Sequence, residues 1–479
     1  MNRRWSIVFA VATVLCISPP GGAQELSRDR VSGALRKAAG FFRQKVAVEG
    51  GYVWRYSADL DRREGEGRAG ESIAWVQPPG TPSVGETFLD AYETTGDSFY
   101  LDAAREAAHA LVRGQLKSGG WDYRIEFEPQ GRARFEYRVP PAAEDGRNTT
   151  TLDDDTTQAA LRMLMRFDRI TEFADAAVHE AALFALDNLL AAQYPNGAWP
   201  QRFSRPPDPK QFPVKKAAYP GSWSRTHPNV DYAGYYTFND NTIADMVATM
   251  FAAYATYGDQ RYRAAAEKAG DFIILAQMPD PQPAWAQQYN ANMHPAWARK
   301  FEPPAVTGGE SQGVMRILLR LYRETADPRY LEPIPRAIAY LRASQLPNGK
   351  LARFYELETN TPLYFTRDYK LTYSSDDMPT HYGFITSSGL DKIEAEFEAL
   401  KAMDPAELKR SLKKSPAGPV TEFLRKEVRA AIDRMDERGA WVEDDRLRYH
   451  GDDDPTTRII DCRTFIKNVR LLCAYLNAE

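Results

Sequence analysis

The sequence predicts an all-α fold, an (α/α) toroid of repeated helical hairpins that carries long functional loops on one rim. Three observations predict it. A motif of the form Q-x-x-x-G-x-W recurs along the chain. A turn-like motif rich in Tyr, Gly and Asp precedes each copy. Between these marks, apolar residues fall at helical spacing.

The first motif reads QLKSGGW at residues 115–121, QYPNGAW at 193–199 and QLPNGKL at 345–351, with a degenerate copy, QMPDPQPAW, at 277–285. The second reads YETTGDSFY at 92–100, YATYGDQRY at 254–262 and YRETADPRY at 322–330, shortened to FDRITEF at 167–173. Successive copies lie far enough apart for two helices and two loops, which is the signature of a helical repeat. Leu101, Ala104, Ala108, Leu111 and Val112 share one helical face, as do Ile317, Leu318, Leu321 and Tyr322. Gly96-Asp97 and Gly258-Asp259 suit a tight turn, with Gly at positive φ and Asp capping the next helix. The unit is therefore a first helix, a short turn, a second helix and a long loop. Stacked hairpins bury their faces against their neighbours.

In an antiparallel pair, the start of the first helix and the end of the second lie at the same end. The Q-x-x-x-G-x-W loops follow the second helix. The polar clusters Asp153-Asp154-Asp155-Thr156-Thr157, Asn239-Asp240-Asn241 and Gly309-Glu310-Ser311 each precede a first helix. All of them are expected on one rim. Asp, Asn, Ser and Thr are ordinary helix caps, and acids suit a helix N-terminus. A run of three Asp exceeds what one cap requires, and two such clusters on one rim can bind a hard cation through oxygen. The loops also carry Arg299-Lys300, Arg353, Arg367-Asp368 and Lys370. Guanidinium forks match carboxylates, so acids for a metal beside cations for carboxylates describe a site for a uronate polymer.

The 479 residues are 43% hydrophobic and 26% charged, with a formal net charge of −4. No global basic field points to nucleic acid. Arg3 and Arg4 precede an apolar stretch at 5–17, followed by Gly21-Gly22-Ala23. This is the pattern of a secretory signal peptide cut after Ala23, too short for a bilayer anchor. Secretion or periplasmic export, no membrane anchor and a monomer are the expectations. Cys462 and Cys473 stand about three turns apart on one helix, too far for a bridge, and no Cys/His cluster has zinc spacing.

These motifs resemble polysaccharide lyase family 10, the pectate lyases, in order along residues 75–385. PSVG at 82–85 and SGGW at 118–121 are similar to its opening segments. LDDDTT at 152–157 takes the place of D-N-x-A-T, with Asp154 where the family commonly has Asn. YPNGAWPQ at 194–201 and TFNDN at 237–241 are close to Y-P-N-G-G-W-P-Q and T-[YF]-N-D-[ND]. WARKFE at 297–302, GES at 309–311, ARFYELETN at 352–360 and Arg367-Asp368 complete it, with Tyr369 in place of a Gly.

The resemblance implies calcium-assisted β-elimination of polygalacturonate to 4,5-unsaturated products. It assigns the base to Arg367. It assigns calcium and substrate binding to Asp153 and Asp240 and a substrate contact to Arg299. Asp154 adds a hard oxygen ligand to the metal set, and Arg353, Lys300, Trp199 and Asn239 are the further candidate substrate contacts. The expected organisation is a signal peptide at 1–23, a toroidal catalytic domain at 24–385 and a helical extension at 386–479 packed on it, joined near Ala417-Gly418-Pro419. A degenerate repeat loop is expected at Arg438-Gly439-Ala440-Trp441. Two other readings of the same rim are a toroidal glycoside hydrolase and a carbohydrate binder without catalysis.

Overall fold

A computed structural model describes residues 26–139, 144–412 and 418–478. The expected signal peptide and Ala417 lie outside the described residues. Fourteen α-helices occur in them: α1 (Arg28–Phe41), α2 (Thr81–Thr95), α3 (Ser98–Gly114), α4 (Pro129–Arg132), α5 (Thr156–Ile170), α6 (Ala176–Ala192), α7 (Thr242–Tyr257), α8 (Gln260–Ala276), α9 (Glu310–Thr325), α10 (Ile334–Ala343), α11 (Leu390–Lys401), α12 (Pro405–Ser411), α13 (Glu422–Asp433) and α14 (Cys462–Asn477).

Contacts run α14–α2–α5–α7–α9–α11 around an inner ring, with α1, α3, α6, α8, α10 and α13 outside it. This is an (α/α) toroid. The hairpin turns obey the expected chemistry. Gly96 and Gly258 end α2 and α7 in the left-handed region, and the Asp97 and Asp259 side chains cap α3 and α8. Ala326 takes the same left-handed position after α9, where Asp327 caps the next turn.

The long loops are built alike. The indole N–H groups of Trp121, Trp199, Trp285 and Trp441 each donate to a carbonyl near the end of the preceding outer helix, at 2.8 Å. The amide of Gln115 bridges Gly119 and Ala181, and that of Gln193 bridges Gly197 and Ala265, so each loop is tied to the next outer helix. Gly197 is required twice over. Its φ is +99°, and a Cβ there would lie 1.9 Å from the Lys268 carbonyl.

Short antiparallel ladders join the start of each inner helix to the loop after its outer partner. Ile73–Trp75 pairs with Arg124–Glu126, Thr150–Thr151 with Arg202–Phe203, Tyr236–Thr237 with Gln288–Tyr289, and Ala305–Thr307 with Phe354–Glu356. All four ladders therefore sit on one rim, together with the three polar clusters.

The same rule joins the two ends of the chain. Arg458–Asp461, before α14, pairs with Arg55–Ser57, after α1. Gly439, at φ +99°, packs against the Lys37 carbonyl of α1, as Gly197 does against α8. Residues 386–479 are thus part of the ring and not an appendage: they supply α11, α13 and α14, and a boundary at 385 would cut the toroid. Cys462 and Cys473 are free and buried on α14. No helix of the described residues is long and apolar enough to cross a membrane.

Candidate active site

Two short loops on the rim carry the acids. In the loop entering α5, Asp154 and Asp155 have φ of 50° and 58°. In the loop entering α7, Asp240 and Asn241 have φ of 47° and 60°. Two successive left-handed residues are costly for L-amino acids, and Asp and Asn tolerate the conformation best. The bend turns the middle side chains toward each other across the rim. Asp153, Asp154 and Asp240 each offer a carboxylate oxygen within 4.8 Å of the others.

Each acid is held by a neighbour. The Tyr123 hydroxyl donates to Asp153 at 2.8 Å, and an Arg202 Nη2 donates to the same oxygen at 3.3 Å. The Gln77 amide donates to Asp154 at 2.9 Å, and the Asn239 amide donates to Asp240. Burial, then the charge of Asp153, pushes the Asp154 carboxyl up to about 6. Burial, then Asp153 and Asp154, pushes Asp240 up to about 7. The cluster thus holds more negative charge than the free site stabilises well.

Cations line the other side. Arg299 lies 3.9 Å from Asp240 and 2.6 Å from Glu302. Burial works against the charged guanidinium, but the Glu302 carboxylate outweighs it and raises the Arg299 pKa. The Tyr382 hydroxyl donates to the same Glu302 at 2.9 Å. Arg353 reaches Glu310 at 2.5 Å and lies 4.4 Å from the Tyr382 ring centre. A pocket of about 230 Å³ opens here between α7 and α9, lined by Phe238, Asp240, Asn241, Glu310 and Arg353 among others.

The structure brings Asp153, Asp154, Asp240, Arg299 and Arg353 together. It does not bring Arg367 to them. The Arg367 side chain is 72% exposed and pairs with Asp377 at 3.3 Å. Its hairpin tip sits on the same rim, because Tyr369 stacks on Phe301 and Lys300 lies 3.6 Å from the Tyr369 ring centre. Lys300 therefore packs on the Tyr369 ring of this hairpin tip. Trp199 does not contact substrate: it is fully buried, and its indole serves the repeat. Asn239 is likewise buried and orients Asp240. Sequence reasoning missed Tyr123, Gln77 and Arg202. Arg202 could have been found, since it directly follows the YPNGAWPQ motif.

Residues 132–350 match the family model of pectic acid lyase. The match covers less than half of the chain and likens this segment to the pectic acid lyases, which supports a polysaccharide lyase. No curated protein matches the sequence. Solved structures similar to the chain include a family 10 polysaccharide lyase from Cellvibrio cellulosa, 20% identical, covering 66% of this chain and 96% of that one with a TM-score of 0.44. A variant of a Cellvibrio cellulosa family 10 lyase in complex with trigalacturonic acid is 19% identical, covers 67% and 98%, and has a TM-score of 0.46. The cellobiose 2-epimerase of Bacillus thermoamylovorans is 13% identical, covers 94% and 99%, and has a TM-score of 0.44.

The lyase site fits a hard divalent cation. All three acids are oxygen donors, and Asp153 Oδ1 and Asn239 Oδ1 are buried with no hydrogen-bond partner. A cation among them would also relieve the repulsion that raises Asp154 and Asp240.

Proposed function

We propose that the chain is an exported pectate lyase that cleaves α-1,4-linked polygalacturonate by calcium-assisted β-elimination, leaving 4,5-unsaturated ends. One observation carries this reading: three carboxylates within 4.8 Å stand beside Arg299, which lies 3.9 Å from Asp240. Elimination requires loss of the C5 proton next to a carboxylate that is already anionic, so that negative charge must be offset. Asp153, Asp154 and Asp240 are the residues that would hold calcium, which would supply part of that offset on the uronate carboxylate.

Arg299 supplies the rest. Its raised pKa keeps it cationic, and its Nε is buried with no partner. A fixed guanidinium of this kind stabilises charge that develops in the transition state more than charge in water. Glu302 and the Tyr382 ring hold it in place. Arg353, braced by Glu310, is placed to take a second carboxylate across the 230 Å³ pocket. Arg367 was expected as the base. Proton abstraction calls for a basic atom shielded beside C5, and Arg367 lies in solvent, paired with Asp377. Its position suits the carboxylate of a flanking sugar.

An inverting two-carboxylate hydrolase fits less well, and a retaining one, with acids about 5–5.5 Å apart, is separated from the lyase by the absorbance of the product. Inverting hydrolysis places a water between acids roughly 6.5–9.5 Å apart, wider than this cluster. The test is incubation with polygalacturonate and calcium. Ultraviolet absorbance from the conjugated product supports elimination. New reducing ends without absorbance would show hydrolysis, and neither signal would leave a binder.

A further inference from the structure

The segment between Gln201 and Tyr236 is a long insertion between a repeat loop and α7. It crosses the rim and docks on the segment that carries Arg299. The Trp297 indole donates to the Ser224 carbonyl at 2.9 Å, and His227 Nε2 donates to the Ala298 carbonyl at 2.9 Å. Beside these anchors the insertion presents Trp223 and Arg225, with the guanidinium 3.7 Å from the indole centre.

Arg225 is fixed from below. Its Nη2 meets Glu356 at 2.6 Å, and the Glu356 side chain is only 6% exposed. The same Glu356 oxygen accepts from the Tyr373 hydroxyl at 3.0 Å, and the other accepts from Thr359 at 2.6 Å. A buried carboxylate is costly unless paired, so Glu356 pins three separate segments: the insertion, the 354–365 hairpin and the Tyr373 loop. What it pins faces outward. The Arg225 side chain is 51% exposed and Tyr373 is 54% exposed. An ion pair through one Nη leaves further guanidinium N–H groups free to fork a carboxylate. Trp223 is half-buried, packed against the hydrophobic core with Arg225 over its ring, so the part of the indole that stays exposed is what a sugar can meet.

We propose that Trp223, Arg225 and Tyr373 form a distal uronate subsite that binds the polymer beyond the cleavage point. The subsite rests on the pectate lyase reading above for its ligand class. Its position follows from the chain. Glu356 ends the strand Phe354–Glu356 that begins just after Arg353, so the two lie at most about 10 Å apart at ~3.3 Å per residue, and Ser224 is tied to Trp297, two residues before Arg299. Because Glu356 sets the guanidinium in advance, little ordering entropy opposes binding of a sugar there.

The experiment compares trigalacturonate with polygalacturonate. For Trp223→Ala and Arg225→Ala, kcat/KM on polygalacturonate should fall about tenfold through KM, with trigalacturonate unchanged. Glu356→Gln should follow the same pattern if it acts only by positioning Arg225, and Trp223→Phe should retain most of the wild-type ratio. Equal losses on both substrates, or none on either, would overturn the subsite. Thermal melting of each variant separates misfolding from these outcomes. Calorimetric titration with a long oligogalacturonate reads the subsite without turnover. Binding weakened by Trp223→Ala would uphold it even if wild type forms no unsaturated product, which would count against the lyase reading alone. Unchanged binding would count against the subsite.

Discussion

The loops entering α5 and α7 share one backbone and divide its chemistry. Leu152 and Phe238 have φ/ψ of −101°/−1° and −99°/−1°. Asp154 and Asp240 follow at 50°/37° and 47°/36°, then Asp155 and Asn241 at 58°/22° and 60°/14°. Both end on a Thr that starts an inner helix. The side chains then diverge. In the first loop Asp153 accepts hydrogen bonds from Tyr123 and Arg202, whereas Asn239 at the same place in the second loop donates to Asp240. Asp155 turns away to Arg162 at 2.5 Å, while the Asn241 side chain makes no hydrogen bond. A repeat thus supplies the strained geometry twice, and single substitutions make one copy a double donor and the other a single one.

Substitutions at the matched positions 154 and 240 separate geometry from charge most sharply. Asp240→Asn should lower kcat/KM about 10³-fold, because it removes the carboxylate that faces Arg299 and the cation site. Asp154→Asn should cost less than about tenfold, because an Asn oxygen can still accept from Gln77. Kinetics on polygalacturonate in calcium decide it. Equal losses would mean that the two copies share one role.

Next in size is the contrast between Arg299 and Arg367. Losing one fixed charge-stabilising donor typically costs about 10²–10³ in kcat, so Arg299→Ala should fall in that range. Arg299→Lys should recover only part of it, since lysine lacks the fork. Arg367→Ala should change KM by no more than about fivefold with kcat intact. A kcat lost in Arg367→Ala alone would restore the base to the hairpin tip.

These differences mark what could be read in the sequence. The hairpins were legible because the copies share a bridging Gln and most repeat a positive-φ Gly and a buried Trp, with Leu351 in place of Trp in one and no Gly in the 277–285 copy. Asp153, Asp154 and Asp240 were legible because inner-helix starts must share a rim. Trp199 was misread for the same reason that it was noticed, since a residue that recurs in each repeat serves the repeat. Ring closure was hidden, because α14 finds α1 across the whole chain and only Gly439-Ala440-Trp441 hints at it. Arg367 was misplaced because its hairpin tip has no counterpart in other repeats, so no topology fixed its direction.

A smaller effect is expected on stability. Asp154 and Asp240 titrate near 6 and 7 in the folded protein, above the usual ~4 of a free carboxyl. A raised carboxyl pKa favours folding most when the group is protonated. That contribution is complete below about pH 4 and is lost as pH rises through 6 and 7. Metal-free protein should therefore melt lower at pH 8 than at pH 5. Asp240→Asn should flatten that slope and raise Tm at pH 8. Calcium at about a hundred times its pH 8 Kd adds ~2.7 kcal/mol at pH 8, and the same concentration should add less at pH 5, where protons compete for the carboxylates. A calcium shift independent of pH, or retained after replacing all three acids, would place the ion elsewhere.

The smallest effect tests the backbone that the two loops share. Asn241 is left-handed at φ 60°, its side chain makes no hydrogen bond, and it lines the pocket beside Asp240. Glycine occupies this region without a Cβ penalty but gains more freedom in the unfolded chain. For Asn the two terms nearly cancel, so Asn241→Gly should alter stability by no more than about 0.5–1 kcal/mol and leave kcat/KM within about twofold. Valine at the same place is a different case. A β-branched residue resists positive φ, at a cost of roughly 1–2 kcal/mol, or else the loop relaxes toward ordinary helical angles. Relaxation would swing the adjoining Asp240 away from Asp153 and Arg299. Asn241→Val should therefore lose activity well beyond its loss of Tm, and calcium should stabilise it less than wild type. If Asn241→Val keeps both activity and calcium response, the left-handed pair does not set the acid geometry, and the resemblance between the two loops has no bearing on catalysis.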